Sequence, residues 1–201
     1  MAHHPPAQPT GDPCAERDAL RERLAAAEAD CAAARATVAV LEEKLSEAID
    51  ACVALERIHG STEHAEVLRA VQDVVINIVG SEEVAVFEPG PGGDLVAVQS
   101  FGVGGARVAP VTPGRGPLGR VAAEGKAWVL GDAAPSGDPE LTACVPLVAD
   151  ERVVAIVAIW KLLAHKPQLR PSDRLVLELL GPHAGRALFL TAGRKRRARA
   201  A

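Results

Sequence analysis

The 201-residue chain sets 22 Lys and Arg against 26 Asp and Glu, a formal net charge of −4, which argues against a general nucleic-acid binder. A hydrophobic share of 48% suffices for one core plus an appendage, but aromatics are only 2% and Tyr is absent, so Val, Leu, Ile and Ala must build that core. The four cysteines, Cys14, Cys31, Cys52 and Cys144, form no CxxC pair and no zinc-ligand cluster, which fits reduced thiols in a reducing compartment.

In chain order, "MAHHPPAQPTGDPC" lacks the apolar run of a secretory signal, and residues 1–15 are expected to form a disordered tail. No apolar stretch approaches the roughly 18 residues of a membrane span, and a cytoplasmic location is expected. Small or apolar residues then recur at Leu20, Leu24, Ala27, Cys31, Ala34, Val38, Leu41, Leu45, Ala48, Cys52 and Leu55, in alternating steps of four and three. That is a heptad seam, with Leu24, Cys31, Val38, Leu45 and Cys52 at a. In a parallel pair Arg23 meets Glu28 and Asp30 meets Arg35, each with opposite charge. Residues 16–58 are therefore predicted to be a coiled-coil helix that makes a homodimer; the alternative is a single amphipathic helix lying on the following domain. Because its d positions are rich in Ala, the seam is thin and needs help from that domain.

"HGST" at 59–62 breaks the seam and offers hydroxyl caps for a new helix, "EHAEVLRAVQDVVINIVG", which Gly80 closes. Two strand-like runs, "EVAVFE" and "LVAVQSF", flank "PGPGGD" and predict a hairpin. A brief helix, "PLGRVAAE", follows, with Pro117 in its first turn and Gly125 at its end. Next come "AWVLGD", a loop, and a second hairpin in which "CVPLV" and "RVVAIVAIWKLL" flank "ADE". Its second strand is apolar on both faces, Val154, Ile156, Ala158 and Trp160 on one and Val153, Ala155, Val157 and Ile159 on the other. It must be central, with helices over one face and the long loops and short helix over the other. A last helix is expected over 172–191, kinked or broken at Pro182, before a basic tail at 193–201.

From about residue 55 to 191 this order resembles the GAF domain family, a sensory fold. The resemblance rests on Gly116, Gly119 and Asp132 in "GRGPLGRVAAEGKAWVLGD", on Pro146 and Leu147 in "ACVPLVADERVVAIVAIWK", and on Ser172 and Asp173 opening the final helix. It implies an α+β fold for 59–192: an antiparallel sheet with helices on one face and a ligand pocket on the other, dimerising through the helices. On that reading Phe101, Arg115, Leu118, Trp128, Asp132, Leu141 and Cys144 are the candidate ligand-binding residues, Arg115 and Asp132 supplying the polarity.

The chemistry stays open. "GRGPLG" matches GxGxxG at Gly114, Gly116 and Gly119, but the prolines before it and the hairpins around it argue against a dinucleotide-binding βαβ unit. Cys144 has no adjacent His or second Cys to activate it. Among GAF proteins, the methionine sulfoxide-reducing members use several cysteines, and bilin binders carry Cys-His where Val145 stands here. The Asn-Lys…Phe…Asp-Glu signature of cyclic-nucleotide binders is absent. Cys144, Asp132, Asp138 and Arg120 offer iron-binding types without a telling spacing. His59, His64, His165 and His183 lack metal-like spacing, so no metal is expected and any cofactor stays unknown. The expectation is a non-enzymatic signalling module that senses a small ligand or docks a signalling protein. The alternatives are a scaffold without a metabolite ligand and a redox enzyme using Cys144. The tail residues Arg194, Lys195, Arg196, Arg197 and Arg199 offer a weak contact to an anionic partner.

Overall fold

The computed structural model describes residues 13–131 and 138–200, with side chains described for 14–131 and 138–193. The chain divides into two units, one ending at Ser46 and the other starting at Glu47.

The first unit is helical from Pro13 onward, so the segment expected as a tail is helix at 13–15; the rest of that expectation lies outside the described residues. Pro suits a first helical turn, where its missing N–H has no partner to lose. Helix α1 (Pro13–His59) runs without a Gly or Pro in its interior, and in the first unit Leu20, Leu24, Val38, Leu41 and Leu45 are all exposed.

The second unit opens with the last turns of α1, in which Ala51, Ala54 and Ile58 are buried. Ser61 does not cap the following helix: its hydroxyl donates to the Arg57 carbonyl at 3.2 Å, satisfying an end of α1 instead. α2 (His64–Val74) starts from Glu63 without a side-chain cap and continues as a π-helical turn through Val79. There Gly80 turns left-handed at φ +77°, a conformation glycine adopts without strain.

Five antiparallel strands follow: β1 (Ser81–Pro89), β2 (Leu95–Phe101), β3 (Trp128–Val129), β4 (Ala143–Ala149) and β5 (Arg152–Leu162), in spatial order β2-β1-β5-β4-β3. β5 is thus central, pairing Val157 with both Val86 and Val145, as its two apolar faces require. Its alternation separates two cores. Ala155, Val157 and Ile159 face α2 and α4, whereas Ile156, Ala158 and Trp160 face the loops and α3 (Gly116–Glu124). Val153 and Val154 are exchanged relative to the strict alternation: Val154 packs on the helix side and Val153 on the loop side. The cause is a bulge, since the pairing slips between Leu147↔Ala155 and Val148↔Val153.

α4 (Pro171–Ala200) is unbroken, contrary to the expected interruption at Pro182, and its backbone stays helical through the basic segment. Pro182 removes one helical hydrogen bond but sits exposed on the outer side, and packing on the inner side holds the helix. A Cβ on Gly185 would lie 2.3 Å from the Val148 carbonyl oxygen, and one on Gly181 would lie 3.0 Å from that of Pro146, so α4 rests directly on the backbone of β4.

Candidate functional site

The loop-covered face of the sheet is built on Ala85 and Phe87 of β1, Leu95 of β2, Cys144 of β4 and Ile156, Ala158 and Trp160 of β5, all buried. α3 lays Val121 on this floor, with Leu118 and Ala122 half-buried against it. The glycines before α3 explain how it gets there. Gly114 and Gly116 have φ of +80° and +66°, and Gly119 approaches so closely that a Cβ would lie 2.2 Å from the Thr112 carbonyl oxygen. The GxGxxG match is therefore a tight turn into a helix beside an antiparallel sheet, and the parallel unit a dinucleotide fingerprint needs is not part of that sheet.

Of the residues expected to line a pocket, Leu118, Trp128, Leu141 and Cys144 come together in this cluster. Phe101 does not: it is 47% exposed at the end of β2. Arg115 is exposed at the start of α3, and Asp132 lies outside the described residues. Trp128 pairs across β3–β4 with Cys144, and its indole Nε1–H is buried without an acceptor. A buried donor left unpaired costs about 1–3 kcal/mol, so this atom marks a place where a ligand or water acceptor is favourable. Cys144 is 0% exposed, and burial pushes its thiol far above the usual range. A thiol kept protonated and out of contact with solvent is a poor nucleophile.

The rim of this face is polar and was not anticipated. Arg107, on the short 3-10 turn Gly105–Val108, forms ion pairs with Glu83 of β1 and with Glu140. Its guanidinium carbon stands 5.6 Å from the centroid of the Trp160 ring, a cation–π contact. The Trp160 Nε1–H donates to Asp138 Oδ2 at 2.8 Å, and the Glu140 N–H donates to Asp138 Oδ1 at 3.1 Å. One arginine thus fastens two loops over a tryptophan on the central strand. The signal available in sequence was that Arg107 is the one charged residue between Asp94 and Arg115.

The helix-side face has its own polar fastening. Lys166 pairs with Asp173 at 2.7 Å and donates to the Val79 carbonyl at 2.6 Å, while Asp173 accepts from the Arg170 N–H at 2.6 Å. The Ser-Asp at the start of α4 thereby joins that helix to the π-helical turn after α2. No group of three or more potential metal ligands converges among the described residues.

Residues 61–188 match the family model of the GAF domain, and the chain belongs to that family of sensory and regulatory domains. The GAF domain of a phosphoenolpyruvate-protein phosphotransferase from Coxiella burnetii has a TM-score of 0.62 at 13% identity, covering 76% of this chain and 98% of that one. A free methionine-R-sulfoxide reductase from Neisseria meningitidis, in complex with its substrate, reaches a TM-score of 0.56 at 21% identity, covering 70% and 86%. The GAF-B domain of DevS from Mycobacterium smegmatis reaches 0.52 at 18%, covering 67% and 99%. At these identities the likeness is one of fold. A comparison with curated protein sequences finds no match. No helix among the described residues is long and apolar enough to cross a membrane.

Proposed function

We propose that the protein is a non-enzymatic regulatory module: a homodimer joined through the heptad seam of α1, whose GAF domain senses a small ligand, or docks a protein partner, at the loop-covered face. The observation that carries this reading is the division of the apolar residues of α1 into two stripes. Within the domain unit, Ala51, Ala54 and Ile58 face inward, yet Cys52 of the seam stays exposed and Leu55 only half-buried. In the first unit the seam leucines are also exposed. Leucine repeats at this spacing gain about 25 cal/mol per Å² once covered, and a second copy of the same helix is the partner that their period fits. Filling the loop face biases the sheet, β5 passes that bias to the helix-side core, and the register of α1 is the two-state element that responds. The basic residues from Arg194 to Arg199 provide a secondary contact for an anionic partner.

Native mass spectrometry of gently purified protein, combined with mild oxidation, tests this. A parallel in-register dimer gives Cys31–Cys31 and Cys52–Cys52 crosslinks, while Leu41→Asp yields monomer. A monomeric wild-type chain at micromolar concentration would sink the proposal. Extra bound mass in the dimer identifies the ligand class.

The scaffold alternative draws on the tight filling of the loop face by Phe87, Leu141, Ile156 and Trp160. It gives a clean, ligand-free dimer in the same spectrum. The redox alternative draws on the likeness to methionine-R-sulfoxide reductases, and the buried, protonated Cys144 speaks against it. It requires Cys144→Ser to abolish turnover of free methionine sulfoxide that the wild type performs.

A further inference from the structure

Two histidines that lie 124 residues apart in the chain, too far for any sequence spacing to announce them, meet where α1 ends. His59 Nε2, on the last residue of α1, and His183 Nδ1, on α4, stand 3.0 Å apart with the rings edge-on at 85°. Either nitrogen can be the donor, depending on the tautomer. His59 is exposed and His183 half-buried, so one hydrogen bond between two solvent-accessible rings contributes little. Imidazole nitrogens that converge at this distance are also a chelating pair. Two ligands of a tetrahedral ion, each about 2.0–2.1 Å from the metal, lie about 3.3 Å from each other. The donor ring has only to move its N–H to its outer nitrogen for both facing lone pairs to meet a cation, and no proton is released.

A second observation is the register. The a positions Leu24, Cys31, Val38, Leu45 and Cys52 continue at the same interval of seven to His59, the last residue of α1. In a parallel pair an a residue faces its own twin. Each chain thus brings a two-nitrogen half-site to the seam, and two halves make four ligands, the number of a closed zinc site. One copy alone holds no group of three potential metal ligands among the described residues, so the site is incomplete without the second copy. The charges on either side agree with a cation there: Glu56 falls at e, beside the seam, and Arg57 at f, on the far side of the helix. Cys52, two turns earlier, is about 10 Å away along the axis and is not a ligand.

We propose that His59 and His183 of two copies together bind a tetrahedral divalent transition metal of the Zn²⁺ class where the coiled coil enters the GAF domains. The inference rests on the dimer proposed above. It adds a metal that pins the register of α1 and clasps α1 to α4 in both copies, away from the loop-covered face.

The full-length chain, reduced and stripped of metal with EDTA, is first sized by native mass spectrometry and then titrated with CoCl₂. Expected is one Co²⁺ per two chains, with the visible d–d absorption of tetrahedral cobalt and no thiolate charge-transfer band, and displacement by Zn²⁺. His59→Gln and His183→Gln should each weaken binding beyond the roughly 10–100-fold typical of an outer-shell change. His3→Gln with His4→Gln, in the N-terminal segment, should leave it unchanged. Leu41→Asp, which opens the seam, should lose the tetrahedral spectrum. The proposal is overturned by an octahedral spectrum, by one Co²⁺ per chain that survives Leu41→Asp, or by full affinity in either His59→Gln or His183→Gln. Dimer and site fail separately. A metal-free dimer that takes up no tetrahedral cobalt removes the site and leaves the dimer. A metal-free monomer that becomes a one-cobalt dimer keeps the site and shows that the seam alone does not hold two chains together. A chain that stays monomeric with and without cobalt removes both.

Discussion

The two faces of the sheet are closed by different means. On the helix side, α4 lies on the bare backbone of β4 through Gly181 and Gly185, and a buried Lys166–Asp173 pair ties its first turn to the end of α2. On the loop side, a core holding Phe87, Cys144 and Trp160 is covered by segments fastened through Arg107, Glu83 and Glu140, of which Glu140 is 70% exposed. Backbone contact cannot be loosened without moving a whole helix, whereas a rim of partly exposed charges opens at lower cost. The contrast suits a sensor, in which one face must hold and the other must yield.

The largest expected effect tests the rigid face. Lys166→Met removes the only ion-pair partner that Asp173 has among the described residues and leaves a carboxylate buried, which costs about 3–5 kcal/mol. Lys166→Met combined with Asp173→Leu should recover most of that loss, because neither charge then remains. Urea unfolding at pH 7 measures both, and a single variant as stable as wild type would show that this corner is not closed. Gly185→Ala is next. Its Cβ meets the backbone of Val148 at 2.3–2.6 Å, so despite the better helix propensity of Ala a loss of about 2 kcal/mol is expected. The same substitution at Gly193, whose Cβ meets nothing within 4 Å, should be neutral or slightly stabilising, and equal effects at the two glycines would remove the close approach from the account.

Much of this architecture was legible in the order of the residues, because local signals carried it. The two-sided apolar run at 152–162 demanded a central strand, and the heptad spacing demanded a long helix. What stayed hidden depends on contacts distant in sequence. Pro182 reads as a helix breaker, and only the glycines on either side of it, pressed on β4, show why the helix persists. The exchange of Val153 and Val154 comes from a bulge set by the pairing with β4. Leu118, Trp128, Leu141 and Cys144 gather in one hydrophobic cluster, which the apolar pattern of the chain could anticipate because such a pattern locates a core. Arg107 was missed, because its partners lie 24 and 33 residues away and no local spacing announces them.

Cys144 gives a pH-dependent test of the loop-side core. Its thiol keeps a proton in the folded state that the unfolded chain loses above about pH 8.5, so the unfolded state binds fewer protons and stability falls as pH rises. From about pH 8.5 to 9.5 the slope should approach 1.4 kcal/mol per unit. With no Tyr in the chain, Cys144→Ala should flatten it. An unchanged slope would mean that the thiol is not held protonated, and the loop-side core is then open enough to revive the redox alternative.

The smallest effect decides whether the loop side is the yielding one. Arg107→Ala removes two ion pairs and a cation–π contact, yet the groups are partly exposed, and a global cost below about 1 kcal/mol is expected. The local effect should be larger in kind: amide hydrogen exchange should accelerate about fivefold across 103–111 and 138–142, and stay unchanged in α4 and β4. A global loss above about 2 kcal/mol with uniform acceleration would mean that both faces open as one unit, and the division of labour between them would fail.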